Sequence, residues 1–407
     1  MSKVIIIGGG ASGLASAITA AKNNNEVIIL ERNKFCCKKI LSTGNGKCNY
    51  WNDDQNKNHY HSTNKELLSE IISKEYEDKI KEFFDFLGII PIVKEGYYYP
   101  YSNQAQSIKE ALITQAKLLG VNIKNDEYVK KIEKRNNKFI IETKENKYES
   151  EKIILSTGSK AAPKTGSDGN GYELLKKMGH TIINPLPSLV QLRGKENYFK
   201  EWSGVRTDVN IKLYENGNLL KEENGEIQLT DYGISGICSM QLSGFIAKGL
   251  YNGKKEQVTI NFIPKISSNY DDAINWFTTR NKLLKNRTIT QLLNSVLNNK
   301  LITFLLKKSN IKEYDTWNTT SEDKKKLLIN NIINFELEII GTNSFEQAQT
   351  TTGGIPLNEV NIKTMESKIV KSMFIIGELL DVDGDCGGYN LGFAWLSGII
   401  AGENIND

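Results

Sequence analysis

Gly8, Gly10 and Gly13 stand in the GxGxxG spacing that lets a chain cradle a diphosphate. Each glycine has its own task. Gly8 permits a tight turn, Gly10 lets a pyrophosphate approach the backbone, and Gly13 allows a helix to sit close to a strand. Ala11 and Ser12 fall in the expected first helical turn, where free N–H groups and the helix dipole favour phosphate. Glu31 follows Gly13 by 18 residues, where a carboxylate can accept hydrogen bonds from ribose hydroxyls. An acid there disfavours a 2′-phosphate, so FAD or NAD is expected rather than NADP.

Other residue types could move a proton. Cys48, Cys386, Asp385 and Tyr389 lie in glycine-rich segments and are candidate proton donors, with Cys48 and Cys386 taken as the candidate catalytic pair. The adjacent Cys36 and Cys37 read as two ordinary thiols, since a vicinal disulfide is strained. Five cysteines without CxxC spacing argue against a disulfide framework and a zinc site. The chain has three histidines, and the pair His59 and His61 sits in an Asn-rich stretch that reads as a solvated loop. No metal is expected.

The elements that must position these residues are legible around them. Residues 4–7 form a buried-type strand, an Ala-rich helix runs to about residue 22, and a second strand spans 27–30, ending at Glu31 and Arg32. A helix over 105–119 precedes short strands within 127–158, which begin near Val129 and end at Thr157 and Gly158. This resembles the antiparallel meander inserted in FAD-binding Rossmann domains. The apolar run 373–376 ends in Gly377 and Glu378, and Gly387 and Gly388 lead through Tyr389, Asn390 and Leu391 into a closing helix. A helix N-terminus there can stabilise negative charge on a reduced flavin. The expected fold class is α/β, a Rossmann-like FAD domain of the two-dinucleotide-domain flavoprotein type. No second GxGxxG unit is found, so NADH or NADPH is expected to dock transiently.

Longer stretches carry a more specific resemblance. KKILSTGNGKCN (38–49), TTGGIPLNEVNIKTMESK (351–368) and GELLDVDGDCGGYNLGFAW (377–395) resemble the BaiN/RdsA-like (YhiN-like) NAD(P)/FAD-dependent oxidoreductases, with weaker support from LTDYGISG (229–236) and PKTGSDGNGY (163–172). The resemblance covers essentially the whole chain. It implies a discontinuous FAD domain (1–188 and 341–407), an inserted β-rich domain (189–268) and a small helical domain (269–340). It also implies that residues 39–49 wrap the pyrophosphate and run beside the flavin. Lys39 would neutralise phosphate, with Ser42, Gly44, Asn45, Gly46, Cys48 and Asn49 lining the cofactor; Glu378 would meet the ribityl chain, and Asp383 belongs to the same cofactor segment. Some family members carry His where this chain has Asp231, so no His acid is assigned there.

Charge is unevenly spread. Between residues 273 and 312 lie Arg280, Lys282, Lys285, Arg287, Lys300, Lys307, Lys308 and Lys312 with no Asp or Glu, in a chain whose net charge is +4. One reading is a solvated Lys-rich surface; the other is capture of a phosphate backbone. The resembled family includes an ene-reductase of bile-acid intermediates and a dihydrouridine synthase of ribosomal RNA. The expected function is an FAD-dependent, NAD(P)H-oxidising reductase of an activated C=C bond, with large-subunit ribosomal RNA uridine leading. A small-molecule ene-reductase, an amine oxidase and a non-enzymatic flavin-dependent RNA-binding protein stay open. No apolar run reaches membrane-span length and no signal peptide is read, so a cytoplasmic location is expected.

Overall fold

A computed structural model describes residues 2–406, the side chains of residues 74–76 excepted. The chain divides into two compact units, residues 1–186 with 348–407, and residues 187–347.

In the first unit the fold-bearing elements are β1 (Lys3–Ile7), α1 (Ala11–Lys22), β2 (Glu26–Leu30), β3 (Tyr60–His61), α2 (Ala105–Leu118), β4 (Asn122–Lys124), β5 (Lys152–Leu155), β6 (Met373–Ile375), β7 (Asp383–Gly384) and α3 (Tyr389–Glu403). Five strands form one parallel sheet in the order β6-β5-β1-β2-β4. β1 is apolar on both faces, as a sheet covered on both sides requires, and Val4, Ile5, Ile6 and Ile7 are buried. The chain winds from β1 outward to β2 and β4, then returns to β5 on the opposite side of β1. This reversal makes a crevice at the C-terminal ends of β1 and β5, where α/β sheets place their ligands. The strands Lys131–Arg135, Lys138–Glu142 and Lys147–Ser150 form a separate antiparallel meander.

α3 is buried nearly all round, which a helix does only when other elements cover every side. It lies directly against α1. A Cβ at Gly398 would sit 2.5 Å from Ser12 O and 3.0 Å from the Ala15 Cβ, so no larger residue fits without parting the helices.

The second unit is built on a closed barrel. Its strands, in hydrogen-bonded order, are Leu192–Gly194, Gly233–Ser235, Asn218–Leu229, Arg206–Glu215, Glu256–Asn261 and Phe335–Thr342. Helices Tyr270–Leu283, Ile289–Leu293, Asn299–Lys308 and Glu322–Ile333 fall between the last two. They do not make a core of their own. Phe277, Leu292, Leu305 and Leu328 join Val209, Ile211, Val258 and Ile260 in one apolar cluster. Where three domains are expected, the structure therefore has two units, the helices being an insertion in the barrel. Phe335–Thr342 alternates buried and exposed with the period of a strand, which assigns it to the barrel rather than to a helical domain ending at 340. No helix among the described residues is long and apolar enough to cross a membrane.

Candidate functional site

At the end of β1 the chain turns sharply at Gly8, whose φ of +105° suits glycine. The next helix must then come very close: a Cβ at Gly13 would overlap Gly8 O and lie 2.6 Å from Ser156 Oγ. Ser156 Oγ ties β5 to this turn, donating to Ile7 O at 3.0 Å and Gly8 O at 2.7 Å. Gly10 differs from both neighbours. It caps α1 with extended backbone, and a Cβ there would meet nothing within 4 Å. The space before the helix N-terminus is therefore open, and the first-turn N–H groups point at it.

Glu31 closes one side. Its buried carboxylate accepts from Gly9 N at 2.8 Å, Asn33 N at 2.8 Å and Asn33 Nδ2 at 2.7 Å, which fixes its orientation at the strand end. Arg32 is paired with Asp168 at 2.5 Å and lies over the Tyr128 ring. Val129 is buried, and its carbonyl accepts from Asn170 Nδ2 at 2.8 Å. Gly377, at the end of β6, meets α1 directly, since a Cβ there would lie 2.5 Å from Ser12 Oγ. Glu378 follows and holds Lys39 Nζ at 2.7 and 3.0 Å. Lys39, expected on a phosphate, is thus ion-paired to the carboxylate expected at the ribityl chain. Thr157 packs on Gly171 and Gly158 on Ser167 beside the same crevice.

The segment 39–49 is a kinked turn with left-handed Gly44, Asn45, Gly46 and Cys48. Ser42 Oγ donates to Lys39 O and so closes its own turn. Asn49 Oδ1 is buried without a hydrogen-bond partner, and a Cβ at Gly388 would sit 3.1 Å from it. A buried acceptor left open in this way calls for a donor from outside the chain. Asn390 clamps its own loop, accepting from Gly384 N and donating to Gly384 O. Leu391 is half-buried beside it and packs against the unit's apolar core.

Cys48 requires a correction. Its side chain is 0% exposed within the apolar core, and burial pushes its thiol up to about 12 despite a Thr43 hydrogen bond. A group that lines no open space cannot hand a proton to a substrate. Cys36 sits over Gly9 and is likewise pushed up to about 12 by burial, then by Glu31. None of the five cysteines is in a disulfide; Cys386 is half-buried.

A second correction concerns His59 and His61, which are not merely solvated. β3 and β7 pair with Asp383 opposite His61, and Asp385 N donates to His59 O. The Asp385 carboxylate then lies between both rings, 3.1 Å from His59 Nδ1 and 3.0 Å from His61 Nε2. His59 Nε2 meets Asp54 at 3.0 Å, and its ring stacks on Tyr389 at 4.5 Å. Asn52 Nδ2 donates to the Tyr389 hydroxyl at 3.1 Å. Burial, then Asp54, Tyr97 and Asp385, raises the Tyr389 phenol well above its ordinary value, so it stays protonated. No sequence signal joined residue 59 to residue 385; only the β3–β7 ribbon does. Tyr97 is a further missed neighbour, 2.9 Å from where a Gly387 Cβ would be. Among the described residues no cluster is arranged to hold a metal ion.

One other constellation imitates a catalytic triad. His180 Nδ1 meets Glu359 at 2.7 Å and its Nε2 meets Ser367 Oγ at 2.9 Å. Ser367 Oγ already accepts from Ile369 N and Val370 N, and His180 and Ser367 are both buried. The group is a clamp, since a nucleophile needs an open face.

The basic stretch is partly spent on the protein itself. Arg280 donates to Leu292 O and Ser295 Oγ, Lys300 to Ser203 O, and Lys307 pairs with Glu201 at 2.8 Å. Lys308 lies over Tyr198 and Lys312 over Tyr314. Lys282, Lys285 and Arg287 are exposed around one helix connection, beside Leu283 at 78% exposure.

The doubly wound sheet and the open glycine cradle at its crevice define a Rossmann-type oxidoreductase of the FAD-binding flavoprotein class. Residues 2–404 match the HI0933-like protein Rossmann domain, and the chain belongs to that family. It is 37% identical over 374 residues to the 3-dehydro-bile acid delta(4,6)-reductase of Clostridium scindens, covering 92% of this chain and 91% of the relative. It is 27% identical over 417 residues to the ribosomal RNA dihydrouridine synthase of Haemophilus influenzae, covering 100% and 98%. The Escherichia coli ribosomal RNA dihydrouridine synthase is 24% identical over 371 residues, with 90% and 89% covered.

Proposed function

We propose that the chain is an FAD-dependent reductase that takes a hydride from NADH or NADPH and adds it to a C=C bond conjugated to a carbonyl. The observation that carries this reading is the convergence of the open Gly10 cradle, the Gly377–Ser12 contact and the head of α3 on one crevice. The residues fit the cofactor. The α1 N-terminus would hold the diphosphate, Glu31 the adenosine ribose, Glu378 with Lys39 the ribityl chain, and Asn49 Oδ1 would receive a ring N–H. When bound, FAD supplies the hydride; the chain's own groups orient the acceptor and deliver the proton.

The relatives named above act on a dehydro bile acid and on a uridine of RNA. Both transformations add two hydrogens across an activated double bond. The greater identity to the bile-acid reductase favours a small, largely apolar enone, and so does the internal use of Arg280, Lys300 and Lys307. Exposed Lys282, Lys285 and Arg287 favour the second reading, a uridine in ribosomal RNA.

The test starts from purified protein with its flavin spectrum recorded. Anaerobic reduction by NADH and by NADPH is followed by reoxidation with 4-androstene-3,17-dione or with a uridine-containing ribosomal RNA fragment. Reoxidation with the reduced steroid as product supports the leading reading. Dihydrouridine in the RNA and no steroid turnover would exchange the two. Flavin that neither substrate reoxidises would overturn the reductase assignment.

A further inference from the structure

Reduction of a C=C bond needs a hydride at one carbon and a proton at the other, so NAD(P)H and one proton are consumed per bond saturated. The hydride route rests on the preceding proposal. The thiol at position 48 cannot supply the proton, being fully buried in the core.

We propose that Asp54, His59, Asp385 and His61 form a proton relay serving that reduction, with Asp54 at its solvent end. The four groups form one unbroken chain of contacts, Asp54 to His59 at 3.0 Å, His59 to Asp385 at 3.1 Å and Asp385 to His61 at 3.0 Å. Side-chain exposure falls along it from 64% at Asp54 through 32% at His59 to 9% at Asp385, with His61 at 19%. Each imidazole has two ring nitrogens that can take and release a proton without moving the ring, and a carboxylate between two rings can pass a proton from one to the other. The chain also runs through the segment expected beside the flavin. Asp385 stands two residues before Gly387 in the loop that opens α3, and His59 is stacked on Tyr389, the first residue of that helix.

Neighbouring groups hold the chain in register. Asp381, wholly buried, accepts from Thr63 N at 2.8 Å and from the Thr63 hydroxyl, fixing the chain just beyond the segment that carries both histidines. Asn52 holds Tyr389 under the His59 ring. A purely mechanical link between β3 and β7 would need neither two histidines on one carboxylate nor an exposed acid on the far nitrogen.

Asp385→Asn and His61→Gln test this because they keep size and hydrogen-bonding capacity while removing the ability to carry a proton. Three measurements are made on each holoprotein and on wild type: bound flavin, anaerobic reduction by NAD(P)H, and reoxidation by an enone (4-androstene-3,17-dione or 2-cyclohexenone) or a uridine-containing oligoribonucleotide. The relay predicts unchanged flavin content and reduction. Reoxidation slows by roughly 100-fold or more, the range for loss of a general acid, and falls in kcat rather than in KM. It also predicts a solvent deuterium isotope effect on reoxidation in wild type, and partial rescue of His59→Ala by added imidazole. A readout free of turnover comes from the ring nitrogens of the three histidines: Asp385→Asn moves the His59 and His61 resonances together and leaves His180 in place. Wild-type turnover matched by Asp385→Asn, or histidine signals that do not move together, overturns the relay and leaves the reductase standing. A wild-type protein that reduces none of the acceptors overturns both.

Discussion

Gly10→Ser separates cofactor binding from folding more sharply than any other change at the cradle. Gly10 has φ −82° and ψ −165°, which every residue adopts, and a Cβ there meets nothing within 4 Å. Serine is among the best N-cap residues and differs from glycine there by only about a few tenths of a kcal/mol. The apoprotein should therefore melt at or slightly above the wild-type temperature. The new hydroxyl, however, turns back onto the N–H groups of Ser12 and Gly13, the donors a diphosphate would use. Each hydrogen bond to a charged group is worth about 1.5–3 kcal/mol. Losing one weakens FAD roughly 10- to 150-fold, at about 1.4 kcal/mol per factor of ten. Gly13→Ser is the control. Its Cβ overlaps Gly8 O, which is backbone and cannot step aside. Overpacking of that kind costs about 1–3 kcal/mol, or roughly 2–12 °C in a unit of this size. Titration of apoprotein with FAD by fluorescence quenching, beside a thermal melt, reads both effects. Wild-type FAD affinity in Gly10→Ser, or a melting loss equal to that of Gly13→Ser, would refute the reasoning.

Three further outcomes are expected. Cys48→Ala should leave reoxidation rates unchanged while costing about 1 kcal/mol in urea denaturation, and native protein at pH 8 should resist iodoacetamide at this thiol, because burial holds it at about 12. Glu256, buried in the barrel with both oxygens unpartnered, has its carboxyl raised from 4.5 to about 7 by burial and then by Glu215. Its folded value lies above its unfolded one, so stability is fullest below pH 4.5 and falls as pH rises through 7, by about 3 kcal/mol at most at 1.36 kcal/mol per unit. Glu256→Gln should flatten that decline between pH 5 and 8 in thermal melts. On the RNA reading, Lys282→Glu, Lys285→Glu and Arg287→Glu together should cut the salt dependence of RNA binding by about two units of log–log slope, at roughly 0.7 per single-strand phosphate contact; no change in slope would remove these residues from any interface.

The parts of the site that were legible in the sequence are those in which neighbours in the chain are neighbours in space. Gly8, Gly10, Gly13 and Glu31 belong to one strand–turn–helix–strand unit, so their spacing alone carries the geometry. Gly377 and Glu378 were readable because a short apolar strand ends on them. The His59–Asp385 contact was not, since it joins residues 326 apart through a ribbon of two-residue strands that no periodicity announces. The polar, Asn-rich surroundings pointed the other way. The phosphate role of Lys39 came from the family resemblance, and nothing in its glycine-rich turn announces a carboxylate at residue 378. The helices after residue 269 show helical spacing and read as a domain, but apolar spacing does not reveal which apolar surface it will cover. Here that surface is the barrel's, and one core results.

The discontinuous sheet has a consequence for the chain as it leaves the ribosome. β5 is made about 220 residues before β6, the strand that covers its outer edge. At roughly 5–20 residues per second that edge waits some 10–45 s with its N–H and C=O groups unpaired, and α1, made about 370 residues before α3, waits longer still. Meanwhile residues 187–347, contiguous in sequence and closed as a barrel, can complete their own fold. Vectorial synthesis therefore finishes the inserted unit before its host. The nascent N-terminal half is the part that draws on chaperones, and the nucleotide crevice can be assembled only after translation has passed residue 375.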